Sequence, residues 1–485
     1  MPPISGLLRR REPVPNHRPW PRFEVDAEAW REAAVALRDG VVVLTGLWAD
    51  QDRVHMALAA PDLSAPTVIT LGCPERKYPS VAALHPPALR LERVIRELHK
   101  LEPEDLPDKR PWLSHGEPYP FLPVEGESLH QIPVGPVHAG IIEPGHFRFT
   151  ALGETVVRLE ERLGYTHKGT EVLMQGADLA RAAKLAGRVS GDSTVAYGWA
   201  LAAAAEAALN VAPPPRALHL RAIMAELERI ANHLGDIGAV CNDCSFVIML
   251  AHCSALRETV LRAAAAAFGH RLMMDRILPG GVAADIDAAG VKAIRDVLRA
   301  ISAKFPHLTR IYDRTDSLED RTVGTGTLSA ALAQGFGAGG FVGRASGRRA
   351  DARWRPGYPP YDALGIEPVV LTAGDVDARV RVRIAEVQQS LVLVGRLLDT
   401  LPAGSISVAL PETNEVEGAA LIEGFRGDVF VWLRLGADGK VARCHLRDPS
   451  WFQWPLLEAA IEGNIVADFP VCNKSFNCSY SGQDL

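Results

Sequence analysis

Between residues 171 and 400 the chain carries a succession of long alanine- and leucine-rich amphipathic segments, at 171–187, 194–211, 216–240, 251–274, 289–304 and 376–400. No other feature constrains the fold as strongly. Apolar residues recurring every three to four positions give each segment an apolar stripe that must be buried against another element. Together they predict a core of packed helices. Strand signals lie toward both ends. VVVLTGLWAD (41–50) and PTVITLGC (66–73) are β-branched runs closed by turn residues. DVFVWLRL (428–435) and VARCHLRD (441–448) predict a hairpin around Asp438-Gly439. Between the two early runs, and again after the second, the pattern turns helical, ending with ALRLERVIRELHKLEP (88–103). There Leu91, Val94, Ile95 and Leu98 share one face. Pro107, Pro111, Pro118, Pro120 and Pro123 read as a stiff, exposed linker. The expected fold class is α+β: a small α/β module over residues 1–115, a proline-rich linker over 116–130, and a large, mainly helical module with short β hairpins over 131–485.

Composition narrows the function classes. With 485 residues, 47% of them hydrophobic, the chain can bury a large core. Lysine and arginine total 52 against 58 acids, a net charge of −6, so nucleic-acid binding is not expected. No apolar run approaches the roughly 18–20 residues of a membrane helix. The best candidate, Val195 to Leu209, is broken by Glu206 and followed by three prolines. The arginines at 9–11 precede no apolar stretch, so no secretory signal is expected. Seven cysteines in a chain this long make no disulfide framework, and a reducing cytoplasm is the simplest setting. Membrane association is then expected to come through partners.

Several motifs occur in a fixed order. GPVHAGIIEPGHFRF (135–149) and GYTHKGTE (164–171) precede GRVSGDST (187–194), and RAIMAELERIANHLGDIG (221–238) follows. Further on come ILPGGVAADI (277–286), RTVGTGTLSA (321–330), GRASGRRADARW (343–354) and GDVDARVRVRIAEVQQSL (374–391). Together these motifs resemble the large subunit of membrane-bound, energy-converting NiFe hydrogenases and its relative, the quinone-site (49 kDa-type) subunit of respiratory complex I. The N-terminal module is similar to the small 30 kDa-type partner subunit of complex I, mainly through LERVIRELHKLEPEDLPDKR (91–110).

The resemblance implies four metal-binding cysteines, and the chain departs from it there. Where a hydrogenase reads Arg-Ile/Val-Cys-Gly-x-Cys, this sequence has Arg188, Val189, Ser190, Gly191, Asp192 and Ser193. The second cysteine pair should lie near the C-terminal SFNCSYSGQDL. Aligned without a gap on Asp484, its positions fall on Ser479 and Gly482; a one-residue gap would bring in Cys478 and Ser481 instead. On either alignment at least three thiolates are missing. Nickel and low-valent iron need soft thiolate ligands, and a serine hydroxyl is a poor substitute. The resemblance therefore implies a retained frame without its NiFe centre and no cofactor bound directly.

Other positions carry two readings each. Complex I's quinone histidine aligns with Pro144, with His138 and His146 nearby, and its quinone tyrosine aligns with Arg188. His146 could take the quinone role, since imidazole can give a hydrogen bond and a proton to a carbonyl; the plainer reading has both histidines shaping a turn beside Gly145. Glu171, in the His167–Lys168–Glu171 motif, starts a helix and by resemblance would border the active cavity as a proton carrier. Otherwise it is a helix-end charge paired with Lys168 or Arg181. Asp192 needs a cationic partner, and Arg188 is expected to supply it. Arg188, Ser190, Asp192 and Ser193 would then form a polar proton path or fill a vacated metal site. On 216–240, Arg221, Glu226, Glu228, Arg229 and His233 are either a salt-bridged packing face or part of a charge-coupling chain. Cys241 and Cys244, with His252 and Cys253, could suggest a metal, but 245–261 reads as a buried helix. Gly335-x-Gly337-x-x-Gly340 follows no strand and is not taken as a dinucleotide fingerprint.

The assembly expected from the resemblance sits on the cytoplasmic face of the inner membrane. Its partners would be a 4Fe–4S small subunit (complex I 20 kDa-like) near Arg188–Ser193 and the C-terminal tail, together with ND1-like and antiporter-like membrane subunits. Electrons would pass from that cluster to an acceptor in the cavity, with a quinone as the candidate, coupled to ion transport. A non-catalytic structural subunit is the rival reading. A hydrogenase with altered ligands is a third, and it predicts nickel in the purified protein.

Overall fold

The computed structural model describes residues 8, 11–113, 118–140, 142–412 and 415–485. The expected module boundary at 115/116 and two of the arginines at 9–11 lie outside the described residues.

The N-terminal region is built on a four-stranded sheet. Arg22–Val25 runs parallel to Thr67–Gly72, which pairs antiparallel with Arg53–Ala59, and that strand pairs antiparallel with Val43–Asp50. The Ala27–Arg38 helix buries Trp30, Ala33 and Leu37 and is capped by Asp26, whose carboxylate accepts the Ala29 N–H at 2.9 Å. Such a cap is worth about 1 kcal/mol. The segment between the two early strand runs is strand, not helix as expected. Every residue from Val54 to Ala59 is buried, so the alternation that distinguishes a half-buried strand is lost. The Leu89–Val94 helix continues through a wider turn at Ile95–His99, as the periodicity of 88–103 predicts. The proline-rich stretch is not uniformly exposed. Trp112 is buried and stacks on Trp451 with ring centroids 5.2 Å apart, and Arg110 reaches Glu160 at 2.7 Å.

A second four-stranded sheet is formed by His17–Arg18, Val416–Gly424, Gly427–Leu435 and Val441–Arg447. The last two strands are the hairpin expected around Asp438-Gly439. The two sheets meet through Trp48, which lies 5.4 Å from both Phe430 and Trp432, and through the Arg434–Asp50 ion pair. On its other side the second sheet carries the Thr194–Leu209 helix. Gly418 permits this approach, because a Cβ there would stand 2.0 Å from the Ala204 carbonyl.

The long amphipathic segments form the helices Thr194–Leu209, Pro215–Asp243, Val247–Phe268, Ala288–Asp313 and Val376–Asp399. The segment 171–187 splits into Thr170–Met174 and Leu179–Ala186, because Gly176 adopts φ +73° and Asp178 caps the second piece. The Val247–Phe268 helix is not fully buried as expected. Met249, Cys253 and Leu256 face the core, but Val247 and Ile248 are exposed. A three-stranded meander of Leu129–Val134, His146–Leu152 and Thr155–Arg162 flanks the C-terminal residues.

Candidate functional site

Three of the four positions where the family resemblance implies thiolates converge. The Leu179–Ala186 helix ends at Gly187, and the Gly191–Ser193 turn leads into Thr194–Leu209, which presents Ser190, Asp192 and Ser193 together. Ser479, nearly three hundred residues later, caps the Tyr480–Asp484 helix and brings its Oγ to 3.1 Å from Ser190 Oγ. Cys478 and Ser481, the residues of the gapped alignment, line the same space. Protons run one way along this chain: Gly482 N–H donates to Ser479 Oγ (2.9 Å), Ser479 to Ser190, and Ser190 to Asp192 Oδ1 (2.7 Å). At the fourth position a Cβ on Gly482 would stand 2.6 Å from the Asp448 carboxylate. Asp448 is anchored there by the Tyr197 hydroxyl (2.7 Å) and the Ser450 N–H (2.8 Å).

The cationic partner of Asp192 is Arg426, which sequence reasoning missed. It sits on the turn between Val416–Gly424 and Gly427–Leu435 and grips both oxygens of Asp192, at 2.8 and 2.6 Å. Its Nη1 also reaches Ser193 Oγ at 3.1 Å, and its Nε donates to the Asn477 carbonyl at 2.5 Å. Burial alone would raise the Asp192 carboxyl, but the Arg426 charge and the hydrogen bonds from Arg426, Ser190 and Ser193 override it and hold the pKa at about 2. The expected Arg188–Asp192 pair does not form. Arg188 lies beyond the helix end, so helical spacing does not apply, and its half-exposed guanidinium takes both oxygens of Asp275 at 2.8 Å. The turn carrying Arg426 is held by Gln453 Nε2, which donates to the Arg426 carbonyl at 2.9 Å. It is also packed by Gly340, where a Cβ would lie 2.0 Å from that same carbonyl. This close packing is the structural use of the last glycine in Gly335-x-Gly337-x-x-Gly340.

These groups open onto a cavity of about 620 Å³, also lined by His138, Glu143, Lys474, Cys478 and Tyr480. His138 Nε2 lies 3.4 Å from the Tyr480 hydroxyl, and burial lowers its pKa, favouring the neutral imidazole. His146 does not line the cavity. It starts its strand with the ring 4.9 Å from Phe121. Glu171 lines a different cavity. Its partners are Arg443 (2.7 Å), His445 (3.0 Å) and the Leu446 N–H (2.9 Å), not Lys168 or Arg181. Burial opposes ionisation of Glu171, yet Arg443 and His445 hold its pKa well below the usual range. Lys168 instead donates to the carbonyls of Arg188 and Val189, bracing the backbone just before Ser190.

The charged face of Pro215–Asp243 is buried and paired. Glu226 bonds Arg353, Tyr361 and Ser390, Arg229 lies 3.5 Å from both Glu226 and Glu386, and His233 meets Glu386 at 2.8 Å. Arg221 pairs with Glu206 instead. Cys241, Cys244 and Cys253 are buried thiols, and among the described residues no three His, Cys, Asp or Glu side chains converge as a metal site.

A NiFe centre does not fit this site. Hydroxyls stand where thiolates would bind it, the Asp448 carboxylate occupies the fourth position, and a guanidinium already neutralises Asp192.

Residues 243–417 match the family described as respiratory-chain NADH dehydrogenase, 49 Kd subunit. Formate hydrogenlyase subunit 5 of Escherichia coli (strain K12) is 30% identical over 440 residues, covering 84% of this chain and 77% of the relative. The membrane-bound hydrogenase alpha subunit of Pyrococcus furiosus is 30% identical over 373 residues, covering 73% and 87%. A protein of the membrane-bound sulfane sulfur reductase, an archaeal respiratory membrane complex, has the same fold with a TM-score of 0.70 at 24% identity, covering 75% of this chain and all of that one. The chain is a member of the large-subunit family shared by membrane-bound hydrogenases and respiratory NADH dehydrogenases.

Proposed function

We propose that this chain is the large subunit of a complex I-like, membrane-associated oxidoreductase in which the former metal cavity receives an electron acceptor directly. The observation that carries this reading is the open cavity of about 620 Å³ onto which Ser190, Asp192 and Ser479 converge. A frame kept only for assembly would be expected to fill such a space with apolar side chains. Electrons would come from a 4Fe–4S cluster in a partner small subunit beside Ser190–Ser193 and the C-terminal segment. A quinone is the acceptor that suits the site, since a hydroxyl or imidazole can hydrogen-bond its carbonyl and neutral His138 can pass a proton. The Asp192–Arg426 pair, neutral overall, would hold a fixed dipole beside the acceptor and so bias its reduced form.

Among the described residues no helix is long and apolar enough to cross a membrane. ND1-like and antiporter-like partners would supply attachment at the cytoplasmic face and the ion path. The buried Glu226–Arg353 and His233–Glu386 pairs would serve that coupling. The rival reading, a structural subunit with an inert cavity, draws on the saturated hydrogen bonds among Ser190, Asp192 and Arg426. The test is a mass-spectrometric inventory of the assembly from native membranes with its metal content. An iron–sulfur small subunit, antiporter-like proteins and no stoichiometric nickel are expected. Recovery of the chain alone, or with one nickel per chain, would overturn the proposal.

A further inference from the structure

Among the described residues that line the Ser190 cavity, the arginine and lysine side chains are Arg426 and Lys474. Arg426 is already engaged. Its guanidinium is divided between both oxygens of Asp192, the Ser193 hydroxyl and the Asn477 carbonyl, and with Asp192 it makes a pair that is neutral overall. Any acceptor that enters the cavity gains negative charge as electrons arrive. A cation with donors to spare therefore decides how readily that charge is held.

Lys474 lies in the last turn of the Phe469–Phe476 helix, shortly before Ser479. Its ammonium stands 3.4 Å from Asn477 Oδ1 and 3.9 Å from Asp236 Oδ1. Both contacts are longer than those of Arg426 with Asp192, at 2.8 and 2.6 Å. The Asp236 carboxylate is itself taken up elsewhere. Asn477 Nδ2 donates to both of its oxygens at 3.0 Å, and Arg383 Nε reaches it at 3.3 Å. Asp236 and Arg383 balance each other's charge, so the Lys474 ammonium is held loosely. Two further acids line the cavity. Glu143 accepts the Ser481 N–H at 3.1 Å, and burial raises the Asp243 carboxyl above its ordinary value against Asn242 and Lys474. An ammonium carries three donors, and with 29% of the side chain exposed, water reaches it.

We propose that Lys474 is a catalytic residue of this cavity: its ammonium contacts the acceptor, holds the negative charge that develops there and gives one proton. The assignment rests on the reading of the cavity as an electron-acceptor site. For a quinone, two electrons arrive through the partner's cluster and two protons are added, one to each oxygen. Lys474 supplies one of them. An N–H bond breaks, an O–H bond forms, and the amine left behind takes a proton from the water that reaches it. The other proton enters from water by way of His138.

The test is calorimetric titration of the native assembly with two rings of matched size. One is 2-hydroxy-3-methyl-1,4-naphthoquinone, whose hydroxyl is ionised at neutral pH and stands in for the charge of the reduced acceptor. The other is uncharged 2,3-dimethyl-1,4-naphthoquinone. Lys474→Met should weaken the anion at least about tenfold, or about 1.4 kcal/mol, and change the uncharged ring by less than about threefold. With the partner's iron–sulfur signal intact, kcat for quinone reduction should fall at least about tenfold. Lys474→Arg should restore the anion's affinity but not kcat, because a guanidinium keeps its proton. Unchanged anion affinity in Lys474→Met, or full recovery of kcat in Lys474→Arg, would overturn the assignment alone. Binding of neither ring by the wild-type assembly would overturn the reading of the cavity, and the assignment with it.

Discussion

Two carboxylate–arginine pairs share the C-terminal segment, and they use the same chemistry to opposite ends. Ser479 to Ser481 line the Asp192–Arg426 cavity, while Asp484 and Leu485 line the Glu171–Arg443 cavity. Asp192 keeps 36% of its side chain exposed and is ringed by hydroxyls, whereas Glu171 keeps 16% and is saturated by a guanidinium, an imidazole and a backbone N–H. The first pair leaves a charge in contact with a polar space that can be refilled by water or an acceptor. The second is a closed knot tying the strand Val441–Arg447 to the Thr170–Met174 helix, with an apolar slot beside it. A carboxylate identifies a reactive site only when its surroundings leave it something to react with.

The largest effect should come from cutting the closed knot. Arg443→Ala leaves Glu171 buried without its main partner and should cost about 3–5 kcal/mol, read from the denaturant midpoint. Arg426→Ala should cost less, about 2 kcal/mol, because water in the cavity can solvate Asp192. Equal losses would erase the distinction between the two pairs.

Gly482→Cys sharpens the comparison from the other direction. The new Cβ must displace the Asp448 carboxylate, for a loss of about 2 kcal/mol, whereas Ser479→Cys should stay within about 1 kcal/mol. If Gly482→Cys were neutral, the fourth metal position would be vacant and not filled.

A third prediction uses two acids whose backbone carbonyls both accept from Asn232 and whose shifts are opposite. Burial raises Glu228 to about 8 despite the Val195 and Ala196 N–H groups, while Asp192 is held at about 2. The folded state holds the Glu228 proton more tightly than the unfolded chain. Its contribution is therefore complete at pH below the ordinary glutamate value and is lost as pH rises toward 8. Asp192 contributes above its ordinary value and loses that contribution as pH falls toward 2. Glu228→Gln should flatten the decline in stability between about pH 5 and 8 by on the order of 1–2 kcal/mol, and Asp192→Asn should flatten only the acid side. Identical midpoints in wild type and Glu228→Gln across that range would contradict this. The smallest effect belongs to Arg188→Ala. Its partner Asp275 is on the surface, and the change should stay below about 0.5 kcal/mol.

The helical core was legible because period and length survive burial on one face, as in Ala288–Asp313, where Ile294, Val297, Ile301, Phe305 and Leu308 are buried. Arg53–Ala59 was not, because burial on both faces erases alternation. In the site, Ser190, Ser193 and Ser479 were found through resemblance, and Asp192 through its oddity among them. Arg426 carries no local signal: it lies on a tight turn 234 residues from Asp192, and only the packing of Gly340 and Gln453 brings it there. A need for a cation near Asp192 was readable; which arginine met it depended on the tertiary fold. Glu171 was misplaced because its partners, Arg443 and His445, lie 272 and 274 residues further along the chain and carry no local signal.

The most direct test of the central claim is electron transfer from the chemically reduced native assembly to a short-chain quinone, comparing wild type with Asp192→Asn and Arg426→Gln. The partner's iron–sulfur signal would be followed by electron paramagnetic resonance as a control. With that signal intact, quinone reduction should fall at least about tenfold in both variants. Unchanged turnover in both would show that electrons leave the assembly without passing the Ser190 cavity.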